Sequence, residues 1–302
     1  MPRSSSWLGH QLFTLEIMGS SPIRGTMIKY QKTKQLVTKD NSNSANCISP
    51  NLVYGCHGGC LDTYCYMGRY NKNVYINTNV EQVFNSVVKW AETYTKVPDQ
   101  QHPIYIMVDI SCNTDLVLMQ GYLPEPLRKY LKRYDDHPIL NTTMATKYPK
   151  FLMLDVNDFN KKPRIRISLM PQIYSTILEP GTQLISKRIK DINRLKKLGW
   201  EVHYNFSPLI YYKNWREEYD ALLKEVKEEA GESFCEVIAL TNHENQMKNA
   251  SPEVKHILRY SNEIKNDSKV MRYPLKYKKI FLSDFVDIYS KYFDVNTIRY
   301  IF

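Results

Sequence analysis

Residues 54–66 read YGCHGGCLDTYCY, and they place Cys56, Cys60 and Cys65 in one short loop with Gly55, Gly58 and Gly59. Glycine lets backbone wrap tightly, so three thiolates spaced this way can grip one metal centre. Two centres suit the residue types. A [4Fe–4S] cluster held by three cysteines keeps one iron open to a ligand. A structural zinc ion takes a fourth protein ligand, for which His57 and Cys47 are the neighbours. The loop follows PNLVY at 50–54, which reads as a strand.

Downstream, strands and helices alternate. Strands are expected at 50–54, 104–109, 143–147, 164–168, 201–206 and 235–240. Between them, 79–96 repeats Val80, Val83, Phe84, Val87, Val88 and Ala91 at helical spacing behind Asn79 as N-cap. A second helix, 183–198, turns Leu184, Ile185, Ile189, Ile192 and Leu195 inward. Its outer face is read as basic, with Lys187, Arg188, Lys190, Arg194, Lys196 and Lys197, and Gly199 stops it. Asn214 and Glu217 form a capping-box pattern for a third helix, closed by Gly231. Six alternating strands imply an α/β protein with a parallel sheet, open or curved into part of a barrel. Chemistry then belongs at the carboxyl ends of the strands.

The chain has 302 residues, 43% hydrophobic and 24% charged, which is ample for a substantial core and unlike a disordered protein. No run of 18 apolar residues occurs, so a membrane-spanning helix is excluded. The formal charge of +10 favours polyanionic partners, although a basic soluble surface would look the same. Most of the 23 tyrosines are expected in the core. Crowded cysteines without a signal peptide point to a reduced, cytoplasmic compartment. Three regions are expected: 1–46 as an N-terminal extension and linker, 47–250 as the barrel, and 251–302 as a small basic C-terminal extension. Residues 1–26 read as dispensable or as a misassigned start, with Met27 a plausible first residue.

The cysteine loop resembles that of radical S-adenosylmethionine (SAM) enzymes, specifically the spore photoproduct lyase family. That family places C-x3-C-x2-C after its first strand with tyrosines beside the last cysteine. Here Tyr64 and Tyr66 flank Cys65, while the spacing is C-x3-C-x4-C. Further segments are similar in the same order: VDISCNTD at 108–115, ATKY at 145–148, PRIRISL at 163–169, EPGT at 179–182 with Arg188 and Ile189, and SPLIYYKNWREEY at 207–219, where Asn214 replaces the usual glycine. The resemblance covers roughly 47–245, and the closing IRYIF is also similar.

The resemblance implies a partial (β/α)6 TIM-like barrel and a carbon–carbon lyase that repairs a thymine photoproduct in DNA. It places a [4Fe–4S] cluster on Cys56, Cys60 and Cys65, with SAM bound near Thr114, Lys147 and Ser168 and cleaved to a 5′-deoxyadenosyl radical. Cys112 matches the family's hydrogen-atom donor, and Tyr64 and Tyr66 match tyrosines that return the hydrogen. DNA and a reductant such as a flavodoxin or ferredoxin are the implied partners. Phosphate contacts are expected from Lys265, Lys269, Arg272, Lys276, Lys278 and Lys279. The alternatives are a radical SAM enzyme acting on another nucleic acid or a small molecule, and a non-catalytic zinc-bearing nucleic-acid-binding protein. Outside the motifs, Cys235 is expected in the core, Cys47 as an incidental linker thiol, His57 facing solvent, and His203 and His243 in structural roles.

Overall fold

A computed structural model of the chain describes residues 27–41, 46–58, 60, 63–65, 73–94, 102–264 and 270–302. Its centre is a sheet curled into a half-barrel. The strands are β2 (Lys39–Asp40), β3 (Cys47–Ile48), β6 (Ile106–Asp109), β7 (Leu140–Thr146), β8 (Arg164–Ser168), β9 (Glu201–Leu209), β10 (Cys235–Ala239) and β14 (Ile298–Ile301), in the spatial order β14-β10-β9-β8-β7-β6-β3-β2. All neighbours run parallel except β2 and β3. β1 (Ile28–Gln31), β4 (Val53–Tyr54) and β5 (Val74–Asn77) form a small sheet, and β11 (Thr241–His243), β12 (Glu263–Ile264) and β13 (Val270–Arg272) form another.

One strand expectation needs correction. The segment 50–54 does not enter the barrel; Cys47–Ile48 pairs with β6, and Val53–Tyr54 pairs antiparallel with β5 instead. Cys47 is therefore a buried sheet residue rather than a linker thiol. The closing IRYIF does form a strand, and it extends the barrel sheet beside β10.

Alternation along β9 explains the barrel interior. Val202, Tyr204 and Phe206 are buried apolar residues on one face, and Glu201, His203, Asn205 and Ser207 fall on the other. β8 repeats the pattern, with Ile165 and Ile167 opposed to Arg164, Arg166 and Ser168. The interior is thus a stack of polar layers from the foot of the strands to their carboxyl ends. Buried charge is costly unless paired, and each layer is paired. At the foot, Arg164 Nε lies 2.6 Å from Glu201 Oε1, which His203 Nε2 approaches at 3.1 Å. Midway, Arg166 meets Asp109 at 2.6 Å and Glu236 at 3.0 Å, and Asn46 donates to Glu236 at 3.3 Å.

The foot layer makes acid stability measurable. Burial pushes His203 down to about 4; burial opposes ionisation of Glu201, but His203 and Arg164 hold it down at about 2. Both folded pKa values lie below the unfolded ones. Below its unfolded value near 6.5, His203 takes a proton more readily in the unfolded chain, so stability falls from there to about pH 4, and loss of the Glu201 contribution follows at lower pH. The His203 part amounts to about 3 kcal/mol. Urea unfolding between pH 4 and 7 should show this slope, flattened in His203→Gln; parallel curves would refute the assignment.

Helices cover the outside: α1 (Val80–Glu92), α2 (Leu116–Met119), α3 (Leu127–Asp136), α4 (Gln172–Leu178), α5 (Ile185–Lys197), α6 (Trp215–Ala230), α7 (Glu244–Asn249), α8 (Pro252–Leu258) and α9 (Leu275–Tyr289). On α5, Ile185, Ile189, Ile192 and Leu195 are buried as expected, whereas Leu184 is 50% exposed just before the first turn. The larger correction is Arg188. It is fully buried, because its guanidinium finds Glu179, Thr182 and the carbonyls of Gln183 and Ser168. Neither expected asparagine accepts from a backbone N–H of its helix: Asn79 Oδ1 accepts from Thr33 N–H at 2.9 Å while its amide donates to Gln82 Oε1 at 2.8 Å, and Asn214 makes no cap bond. Asn214 has φ 57°, a left-handed conformation that asparagine tolerates better than other non-glycine residues, which explains how it stands where the resembling sequences carry glycine. Among the described residues nine tyrosines are buried, fewer than the majority of the 23 that was expected in the core.

Candidate active site

The carboxyl ends of β6, β7, β8 and β9 open onto one cleft of about 180 Å³. Cys56, Cys60 and Cys65 line one side; Ser111, Cys112, Thr114, Asp115, Lys147, Tyr148, Ser168, Asn205 and Ser207 line the rest. Seven of the nine residues expected at the site therefore meet: the three loop cysteines, Cys112, Thr114, Lys147 and Ser168. Tyr64 does not line the cleft, since its buried hydroxyl donates to Glu179 Oε1. Tyr66 lies outside the described residues.

The cysteine loop is anchored at its root. Gly55 has φ +89°, and a Cβ there would stand 2.3 Å from the Asn73 carbonyl oxygen, so only glycine fits. Its N–H donates to Asn113 O at 3.0 Å, and Thr114 Oγ1 donates to its carbonyl at 2.7 Å. These bonds tie the loop to the turn after β6. Further on, Cys65 N–H donates to Cys60 O at 3.1 Å and Thr63 Oγ1 to Leu178 O at 2.5 Å. The turn so formed absorbs the longer C-x4-C spacing and returns the Cys65 thiol to hydrogen-bonding contact with Cys60.

Gly58 lies directly beside two of the three sulfurs. A Cβ on Gly58 would stand 3.4 Å from Cys56 Sγ and 3.7 Å from Cys60 Sγ. Burial pushes the Cys56 thiol up to about 12, and the Cys65 contact and burial raise Cys60 well above its usual value. Such thiols stay protonated unless a cation replaces the proton. Among the described residues, no three His, Cys, Asp or Glu side chains converge to hold a single ion. A cluster does not require that convergence, because each thiolate binds its own iron.

Behind the thiols lies a charge network that sequence reading found only in part. Glu179 is fully buried and accepts from Arg188 Nη2 at 2.8 Å, from Ser175 Oγ at 3.4 Å and from Tyr64. Lys147 Nζ lies 3.6 Å away. Burial opposes the charge on both, yet Arg188 and Lys147 hold Glu179 below its usual range, and Glu179 with the Cys60 and Cys65 thiols raises Lys147. Lys147 is thus a fixed cation against the cluster loop. Asp115 caps α2, accepting from Leu118 N–H at 3.1 Å, Thr146 Oγ1 at 2.9 Å and Lys147 N–H at 2.8 Å. It locks the β6 and β7 ends together, and an acid before the apolar run 116–119 was the available signal. Asn205 and Ser207 were missed, although alternation from His203 points both inward.

Cys112 is the exposed cysteine, in the loop after β6, while Cys235 is buried in β10 as expected. His57 departs from expectation: it is buried against Tyr122, with ring centroids 5.5 Å apart.

The family model "Spore photoproduct lyase" matches residues 24–266. The chain belongs to the spore photoproduct lyase family. It is 26% identical over 175 residues to the spore photoproduct lyase of Bacillus subtilis (strain 168), covering 57% of this chain and 48% of that protein. It is 23% identical over 220 residues to that of Clostridium acetobutylicum, covering 70% and 62%. The alignments therefore span less than two thirds of each of these relatives. Among solved structures, a spore photoproduct lyase mutant superposes with TM-score 0.76 at 15% identity, over 100% of this chain and 86% of that one. A mutant with bound AdoMet and dinucleoside spore photoproduct gives 0.74 at 14% identity, also over 100% and 86%. At these identities the superpositions establish the shared fold, a partial TIM barrel. No helix among the described residues is long and apolar enough to cross a membrane.

Proposed function

We propose that this family member is a radical SAM lyase that repairs a thymine photoproduct in DNA, with Cys112 as hydrogen-atom donor. The supporting observation is the single cleft where two buried thiols, one half-buried thiol, one exposed thiol and a polar strand-end rim face one another. Cys56, Cys60 and Cys65 would hold the [4Fe–4S] cluster, with Gly58 directly beside the first two. A bound cluster and SAM would together supply the radical chemistry that removes hydrogen from the substrate.

The chain's own residues supply position. The Lys147 cation, the Ser168 hydroxyl and the Asn205 amide offer the charge and polar contacts a carboxylate and ribose need. Thr114 spends its hydroxyl on the cysteine loop, so its part is to hold the loop in place. The Cys112 S–H would give its hydrogen to the thymine radical, and the sulfur radical would regain a hydrogen atom through Tyr64 and Tyr66 from the 5′-deoxyadenosine that first took hydrogen from the substrate. The buried Tyr64 hydroxyl donates to Glu179, which would receive its proton on oxidation. A base must leave the stack to reach this cleft, so the DNA is bent or opened on binding. A flavodoxin or ferredoxin in a reduced cytoplasm supplies the electron.

Among the described residues no three side chains converge on a single zinc ion. The test is anaerobic turnover with SAM, a reductant and an oligonucleotide carrying spore photoproduct. Thymine should be restored only when all are present. SAM cleavage that ignores this lesion but responds to another nucleic acid would overturn the substrate.

A further inference from the structure

A second concavity, of about 360 Å³, lies apart from the cleft and shares no lining residue with it. Its walls are the rings of Tyr211, Tyr260, Tyr273, Tyr277 and Phe281, with Asn262 and Pro274. Two rings are structural: Tyr273 is buried and accepts from Tyr211 N–H at 2.9 Å, and Phe281 is buried edge-on to Trp215 at 4.6 Å. The others face outward. Tyr277 is 67% exposed, and Tyr211 and Tyr260 are 37% exposed. Aromatic surface clustered in a concavity marks a binding site more often than isolated exposed rings do.

The surroundings choose the occupant. The Arg259 guanidinium stacks 4.8 Å from the Tyr260 ring. The segments that carry the lining residues are basic in sequence: 255–264 and 270–280 hold Lys255, Arg259, Arg272, Lys276, Lys278 and Lys279 against one acid, Glu263. Flat aromatic faces carried on basic segments, with Arg259 stacked on one of them, suit a base on a phosphate backbone, because stacking accepts any base and cations accept phosphate. The Asn262 amide offers a donor and an acceptor to a base edge. Tyr211 follows Ser207 of the cleft by four residues, so at most about 14 Å of chain separates the two sites. That is about four nucleotides of stacked strand.

We propose that this groove stacks an undamaged base of the strand whose lesion occupies the cleft. The inference rests on the DNA-repair reading above. Its test is equilibrium binding of the cluster-loaded protein to an oligodeoxynucleotide carrying spore photoproduct, with 2-aminopurine at successive flanking positions. At one position the fluorophore should be quenched, and Tyr260→Ala/Tyr277→Ala should abolish the quenching. The same variant should weaken binding about 5- to 150-fold. Its salt slope should match the parent's, because stacking releases no counterions, whereas Lys276→Ala/Lys279→Ala should reduce the slope. Binding within twofold of the parent by the tyrosine variant would overturn the proposal, as would free nucleoside binding as tightly as the oligonucleotide. Failure here with repair intact removes only the groove; stacking without repair removes only the activity.

Discussion

Cys112→Ala should keep cleaving SAM and opening the lesion while losing repaired thymine as its main product. Cys112 is the exposed thiol on the cleft wall, set in a loop anchored independently by Gly55, Asn113 and Thr114. Those anchoring bonds do not use the Cys112 side chain. The substrate radical would then take hydrogen from elsewhere or combine with another species. Thymine yield per SAM cleaved should fall about tenfold or more, equivalent to about 1.4 kcal/mol or more in the hydrogen-transfer barrier. Product analysis by mass spectrometry measures it. An unchanged yield would remove Cys112 from the mechanism.

Cys60→Ala should have the larger effect, through loss of the cluster itself. Cys60 lies between the other two proposed ligands: its thiol bonds that of Cys65, and with Cys56 it stands beside Gly58. Alanine leaves two thiols for a centre that needs three. Iron and sulfide content after reconstitution should fall at least about tenfold, equivalent to about 1.4 kcal/mol or more in cluster affinity, and turnover should vanish. Cys235→Ala is the control, since that thiol is buried in β10 and lines no part of the cleft. Equal iron in the two variants would contradict the ligand assignment.

The features legible in sequence were those with short-range signals. Alternation of strands with helices gave the parallel barrel, because apolar periodicity differs between the two and persists along each element. Ordered motifs brought seven site residues to one cleft. What escaped depended on partners distant in the chain. Arg188 reads as surface from its basic neighbours, and only Glu179 with the Ser168 carbonyl explains its burial. Segment 50–54 has a strand's composition, yet β5 captures its end. Tyr64 looks like a cleft residue beside Cys65 until Glu179 is placed beneath it. The Glu179 network joins residues from four separate segments, so no local pattern announces it.

The most direct measurement is electron paramagnetic resonance of the reconstituted, reduced protein with and without SAM. The account predicts a reduced [4Fe–4S] signal that changes when SAM is added, as an open iron requires. Absence of a cluster signal, or a signal indifferent to SAM, would contradict it.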